Sequence, residues 1–562
     1  MKKNLVVDGM GKVTITDKNF LGAGGQADVY SSSGKALKIY HDASKMIPMD
    51  KFKELNAINS NNVLKPLGVI WENNVPVGYS MDLMSGCDPI CLLFTKAYMQ
   101  SNNIDSGEVT AFVGKMHDVV KKVHEANCLI VDLNEMNVLF GGPANMNPHF
   151  IDVDSYQTPT YKATAIMDSI RDRKVVNQQW TKMSDWYSFG ILAFQMYVNM
   201  HPYKGTHPDF SPKDWSERMD KGISCLDKKA SLPRFCNPLS NVPPAFLEWF
   251  KYIFVENKRS EPPSINSMGV LTIPVNMNIV RDVSAMFTVN IAFTMPEVIK
   301  SVFSCIGVEY FVCKNHVYMR NGSPLIVDIS GATKVLLCDS GDTSPIIAVL
   351  KNNIASFFMV NGAKIGEISA MNMMYRNGCI YTHFNGKMTE NTFTKIGVKI
   401  LHGVRQACDI LDNTIRCYDG VMFQNLLGNI FIALPYQNGA VAMYAIPELK
   451  GHKVLDAYSA KNICIVIAEK GGEYHRFYFT FEQNWQKYSV RIVNNVDFCT
   501  INCAVLDTGV AVLATLDEIE LFKGNDGKNV NNPPFDASNK LFNINSTLYF
   551  VDGNNLKSVK NK

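Results

Sequence analysis

The chain of 562 residues contains no apolar run of the roughly 18 residues that a membrane-spanning helix needs. Neither sign of charge is in excess: Lys and Arg number 55, Asp and Glu 52. That balance excludes a broad basic field for nucleic acid and an acidic tail. No Cys-x-x-Cys pair occurs among the 14 cysteines, and "CDPIC" and "CTINC" are the tightest spacings. A zinc site is therefore not expected, and reduced, buried thiols in a cytosolic setting are. The opening "MKKNLVVDGM" is apolar only as far as Asp8, too short for a cleavable leader. The core-forming capacity is large. Hydrophobic residues make up 46% and charged residues 19%, the composition of a folded chain of about two to four domains.

The pattern changes near residue 270. Before it, strand and helix periods alternate. The segment Val13–Ile15 reads as a strand. "EVTAFVGKMHDVVKKVHE", residues 108–125, places Val109, Phe112, Val113, Met116, Val119, Val120 and Val123 three or four apart, which makes one apolar helix face. Asp105 is its expected N-cap, with Glu108 three residues on. Residues 185–200, "DWYSFGILAFQMYVNM", are apolar on nearly every side and predict a buried helix. "PPAFLEWFKYIFVE" predicts another, opening on prolines. After residue 270 the helical period nearly vanishes. Strand–turn–strand units start at Tyr310, Ile346, Cys379, Ile430, Ile463, Val510 and Thr547. Their mean step of about 40 residues is that of a β-propeller blade. Individual steps run from 33 to 51. A large β-sandwich, or a pair of them, is the alternative. In a ring, "MFTVNIAFTM" (Met286–Met295) would close against the last unit.

Four polar groups in the first half invite a chemical reading. Gly22, Ala23, Gly24 and Gly25 precede Val29 in a G-x-G-x-x-x-x-V order, a small-residue stretch that lets backbone amides approach phosphate oxygens. Lys38 lies in the apolar strand "ALKIY" and calls for an anionic partner. "VDLNEMNVLF" puts Asp132 five residues before Asn137. "FIDVDSYQ" ends an apolar strand on Asp152 and Asp154, two carboxylates suited to a hard divalent cation. Each has a plain structural reading: a hairpin turn, a lysine reaching solvent, turn formers, a strand end. Their joint order is what those readings leave unexplained.

In that order the residues resemble the protein kinase superfamily over roughly residues 15–270. "SDWYSFGILAF" supplies Asp185, Trp186 and Gly190 in a D-W-x-x-x-G arrangement similar to the buried helix of that family, and "FVENKRSEPPS" is similar to its closing pattern. "DLNxxN" and "FIDVDSYQTP" look most like a bacterial and phage group of kinase-like proteins. The resemblance implies ATP and Mg²⁺ as cofactors. It makes Asp132 the residue that orients or deprotonates the acceptor hydroxyl. Asn137 and Asp152 would hold Mg²⁺, Lys38 the α- and β-phosphates, and Gly22 to Gly25 the loop above them. Glu54 is the candidate helix partner of Lys38. Met81 to Met84, with Asp82 and Met84, would form the adenine hinge.

The departures are specific. Ala27 stands at the third glycine, Ile130-Val131 at the usual His-Arg, Asn134 at the catalytic-loop lysine and Asp154 at the metal-motif glycine; no Ala-Pro-Glu follows. The expected fold is multidomain. A bilobal α+β kinase-like domain spans 1–270 (lobes about 1–84 and 85–270), a linker 271–283, and an all-β domain of about seven propeller blades 284–562. The expected function is a Ser/Thr protein kinase whose propeller docks a protein substrate or partner, with no membrane or nucleic-acid role, in the cytoplasm, or in a host cytoplasm or virion for a phage protein. The alternatives are an inactive kinase-fold binding or assembly protein, and a phosphotransferase with a small-molecule acceptor.

Overall fold

The computed structural model describes residues 2–84, 86–142, 145–211, 214–265, 277–279, 286–305, 307–340, 344–437, 439–482, 485, 487–515, 518–524 and 526–561. The chain is multidomain and mostly β. It divides into two compact units, Met1–Asn19 with Ala23–Asp282, and Val283–Lys562 with Phe20–Gly22. The expected linker 271–283 lies, apart from residues 277–279, outside the described residues. Among the described residues no helix is long and apolar enough to cross a membrane.

The chain opens with β1 (Lys2–Val7), β2 (Gly11–Thr16), β3 (Phe20–Ala23), β4 (Ala27–Ser32), β5 (Lys35–Tyr40), β6 (Gly68–Glu72) and β7 (Val75–Asp82). They form one sheet in the order β2-β1-β6-β7-β5-β4-β3. The helices are α1 (Met49–Asn56), α2 (Lys96–Asn102), α3 (Ser106–Glu125), α4 (Lys182–Val198), α5 (Trp215–Lys221) and α6 (Pro244–Phe250). The long helix α3 starts where its sequence says. The Asp105 carboxylate accepts from Glu108 N, and the Glu108 side chain accepts from Asp105 N. Helix α4 is buried from Ser184 to Val198, in line with its all-round apolar pattern. The third expected helix differs. After Phe250 the chain widens into a π turn over Lys251–Val255.

Among the described residues the second unit is a succession of seven antiparallel sheets: Ile299–Met319, Lys334–Ser369, Asn372–Asp409, Ile415–Ala445, Lys453–Val496, Cys503–Asn531, and Leu541–Asn561. The first has three strands and the next five have four each. The last has three of its own and takes its fourth, Phe287–Thr294, from the start of the unit. That strand runs antiparallel to Asn555–Asn561, with Val289 opposite Val559, so Met286–Met295 closes on the last sheet as its strand character suggested. Each sheet buries an apolar face against the next. Leu337 and Ile347 pack on Tyr310 and Val312, Met422 on Met374, and Phe477 and Phe479 on Ile432 and Leu434. The series closes where Ile544, Val551 and Leu556 of the last sheet pack on Ile299, Phe311 and Tyr318 of the first. Among the described residues, seven sheets thus share seven interfaces.

The uneven sequence steps have a local cause. Six of the seven recognised strand–turn–strand units begin on the second strand of their sheet, but the one at Ile430 begins on the third. The true second strand there is Met422–Leu426, 43 residues after Cys379.

Candidate functional site

Strand pairing builds the first part of the site. Lys38 lies opposite Val29 on β4 and opposite Tyr79 on β7. Gly78 brings β7 hard against β5, since a Cβ there would stand 2.0 Å from the Lys38 carbonyl oxygen. Lys38 Nζ donates to Asp152 Oδ1 at 2.7 Å and to Asp154 Oδ1 and Oδ2 at 2.9 and 2.6 Å. Tyr40 and Tyr79 also donate to Asp154, at 2.6 and 3.1 Å. Burial works against the charge on Lys38, yet the two carboxylates more than offset it and hold its pKa above the ordinary lysine value. Burial also disfavours the Asp154 charge, but Lys38 and the Tyr40 hydroxyl hold it ionised, below the usual carboxylate range. Asp152, more exposed and sharing that ammonium, is pushed up by burial and by the neighbouring Asp154 charge.

The second part is a loop under strain. Val131 adopts φ +62°, a left-handed conformation that β-branched residues avoid at a cost of about 1–3 kcal/mol. Asp185 of α4, fully buried, holds it there. Its carboxylate accepts from Ile130 N at 2.8 Å and Val131 N at 2.9 Å, while His124 Nε2 contacts it at 2.9 Å. Beyond the strained residue, Asn134 Oδ1 accepts from Met136 N and Asn137 N and shapes the turn. Asn137 Nδ2 then donates to Asp132 Oδ2 at 3.2 Å and to the Asp132 carbonyl at 3.1 Å. Asp132 Oδ1 accepts from Met167 N at 2.8 Å. Ile151 N donates to the Asn137 carbonyl at 2.9 Å, which ties this loop to the chain entering Asp152.

The glycine-rich turn is notable for what does not demand glycine. A Cβ at Gly22 or Gly25 would meet nothing within 4 Å, and one at Gly24 only the Ala27 carbonyl at 3.4 Å. None of the three adopts a positive φ. Neither packing nor backbone conformation in the fold requires glycine at these positions.

No family model matches this chain, and no curated protein does. Its own geometry therefore carries the argument.

That geometry corrects one expected pair. Glu54 of α1 does not meet Lys38. Its carboxylate accepts from Thr160 Oγ1 at 2.5 Å and Thr160 N at 3.3 Å. The physical reason is that Asp154, with Tyr40 and Tyr79, already occupies the place beside the ammonium. Lys51, one turn earlier on α1, is buried and donates to the Asp154 carbonyl at 2.7 Å. Among the hinge residues, Asp82 is exposed and ion-paired with Lys35 at 2.7 Å, and Met84 is half-buried beyond β7. The stretch without an Ala-Pro-Glu sequence is nevertheless anchored. Asp172 receives two 2.7 Å hydrogen bonds from Arg259, whose guanidinium stacks 4.1 Å from the Tyr187 ring. A signal for Asp154 was present in the sequence. Tyr40 stands two residues after Lys38, on the same strand face, and a buried phenol needs an acceptor.

Among the described residues, no group of three or more His, Cys, Asp or Glu side chains is arranged to hold a metal ion. Asn137 and Asp152 offer one amide oxygen and one carboxylate. That set fits Mg²⁺, which takes one or two protein oxygens and fills its octahedron with water and phosphate.

Proposed function

We propose that the first unit is a kinase-like phosphotransferase using ATP and Mg²⁺ on a Ser or Thr hydroxyl of a protein, and that the second is a seven-bladed β-propeller that docks the substrate or a partner. The observation that carries the reading is the junction of the two parts of the site. Lys38 is held by Asp152 and Asp154, and the chain entering Asp152 is hydrogen-bonded to the loop bearing Asp132 and Asn137. An ammonium, two carboxylates and an amide within one hydrogen-bonded frame suit phosphate chemistry.

In this reading Lys38 binds the phosphates of ATP, and the backbone at Gly22–Gly25 covers them. Asn137 and Asp152 would hold Mg²⁺, which supplies charge neutralisation at the phosphates. Asp132 takes the hydroxyl proton of the acceptor, or orients that hydroxyl. Asn137, donating to Asp132 Oδ2, fixes the direction of the carboxylate. The propeller reading is supported by the seven interfaces and the borrowed closing strand.

A second reading, a nucleotide-binding or inert kinase fold, is favoured by one contact. Asp132 Oδ1 is taken by Met167 N–H, which has to move before a hydroxyl can bind. One experiment separates the two: Mg-ATP with a mixture of candidate proteins, beside Asp152→Asn. Transfer by the parent and not by the variant supports the enzyme. ATP binding without transfer under any condition supports the binding protein. No thermal shift with millimolar Mg-ATP defeats the enzyme and the nucleotide-binding protein alike and leaves the inert fold.

A further inference from the structure

The two carboxylates that touch Lys38 differ in every other respect. The Asp152 side chain is 43% exposed, the Asp154 side chain 9%. Both oxygens of Asp154 are doubly engaged: Oδ1 by Lys38 and Tyr79, Oδ2 by Lys38 and Tyr40. Three donors on two paired strands converge on this one group. Lys38 and Tyr40 stand two residues apart on one face of β5, and Tyr79 faces Lys38 across the β5–β7 pairing. The ammonium also lies 5.8 and 5.9 Å from the Tyr40 and Tyr79 ring centres, so the phenols wall it in from two sides. Helix α1 meets the same segment elsewhere, through Lys51 to the Asp154 carbonyl and through Glu54 to Thr160.

We infer that Asp154, clamped by Tyr40 and Tyr79, is the positioning residue for Lys38, leaving Asp152 as the acid that faces the cation. This rests on the reading of Lys38 as a phosphate-binding residue. An ammonium has three N–H donors. Asp152 and the two Asp154 oxygens take these donors, and the contact to the more exposed Asp152 is the one a phosphate oxygen would replace. The lysine's position is thereby set from the segment that also carries Asp152. The Glu54 carboxylate of α1, engaged by Thr160, takes no part in it.

The test is a double-mutant cycle on ATP affinity, read with and without Mg²⁺ on the full chain. Lys38→Met and Asp154→Asn should each weaken ATP binding about tenfold, and the pair together no more than either alone, as for two residues acting through one contact. Glu54→Gln should leave affinity within about twofold, the size expected where no coupling exists. Asp152→Asn should instead raise the Mg²⁺ concentration needed for full affinity, which Asp154→Asn should not. If Asp154→Asn does not fold, Tyr40→Phe combined with Tyr79→Phe removes two donors from the same carboxylate and should weaken binding in the same Lys38-dependent way. If the parent fails to bind ATP, or Lys38→Met binds as the parent does, the phosphate-site reading falls and this inference with it. If Lys38→Met weakens binding but the Asp154 and Lys38 effects multiply, the assignment of Asp154 is overturned. A loss with Glu54→Gln equal to that with Asp154→Asn also overturns it.

Discussion

Val131 and Asp185 show how a single buried side chain fixes a loop. Two backbone N–H groups and an imidazole converge on one carboxylate, and the backbone they hold is strained. Asp185→Asn leaves a single acceptor oxygen for donors that had two, and presents an NH₂ group toward one of them. Hydrogen bonds to buried charged groups are each worth about 1.5–3 kcal/mol. The variant should lose about 3 kcal/mol in denaturant unfolding of the first unit. Unchanged stability would mean that the loop conformation does not depend on this carboxylate. Asp132 makes the opposite prediction. Asp132→Asn should leave ATP affinity nearly intact and reduce phosphoryl transfer by about 10²- to 10⁴-fold, the usual contribution of a positioned acid–base group. Equal transfer rates for parent and variant would return Asp132 to the role of a turn residue.

His201 supplies a pH-dependent test at the same scale. The imidazole is buried, with Nε2 against the Ser169 carbonyl and Nδ1 accepting from Tyr203 N. Burial, with Lys204 adding to it, lowers its pKa from 6.5 to about 3. The unfolded chain therefore binds a proton near pH 6.5 that the folded chain refuses until about pH 3. The stability contributed by His201 is complete above pH 6.5 and is lost as pH falls toward 3, at up to about 1.4 kcal/mol per pH unit. His201→Gln removes this dependence. Denaturant melts at pH 7.5 and 5.5 should show the variant gaining on the parent at the lower pH. A constant difference between the two would contradict a neutral buried imidazole.

At the scale of elements, local signals and their limits are both visible. Helix α3 is delimited by its own capping residues, and strands end at turn formers such as Asn352-Asn353 and Asn545-Ser546, all at positive φ. The helix opened by Pro243 and Pro244 was legible as a helix, but its passage into a π turn at Lys251 was not. Periodicity reports which face is apolar and is blind to one extra residue in a turn. The Ile430 unit makes the same point for strands. Two successive strand pairs, Met422–Leu426 with Asn429–Gln437 and Asn429–Gln437 with Ala440–Ala445, carry equivalent alternation, so pattern alone cannot say which pair opens a sheet.

On the scale of the whole molecule, the closing strand Phe287–Thr294 makes the second unit a single cooperative object. Deleting the chain after Asn545 removes Thr547–Asp552 and Asn555–Asn561. Two of the seven interfaces then lose Phe550, Val551, Leu556 and Val559, and Phe287–Thr294 loses its partner. Limited proteolysis should then digest the entire second unit rather than trim one end, because sheets that lose a neighbour expose apolar faces and strand edges. The surviving first unit should keep its Mg-ATP thermal shift, about 2.7 kcal/mol of stabilisation at a ligand concentration 100 times Kd. A second unit that stays fully protease-resistant after that deletion would refute closure.

The sequence by itself determined the periods: the apolar stripe of α3, the buried core of α4, the repeat of about 40 residues and the strand character of Met286–Met295. It also placed Lys38, Asp132, Asn137 and Asp152 in an order that suggests phosphate chemistry. Only the tertiary structure decided which acid meets the lysine. Glu54 and Asp154 stand 16 and 116 residues from Lys38, and nothing in either spacing ranks them. The pairing of β5 with β7 set Tyr40 and Tyr79 on one face and made a pocket of donors there. A buried carboxylate is stable only among such donors, so Asp154 occupies it, and Glu54, with a hydroxyl within reach at Thr160, does not.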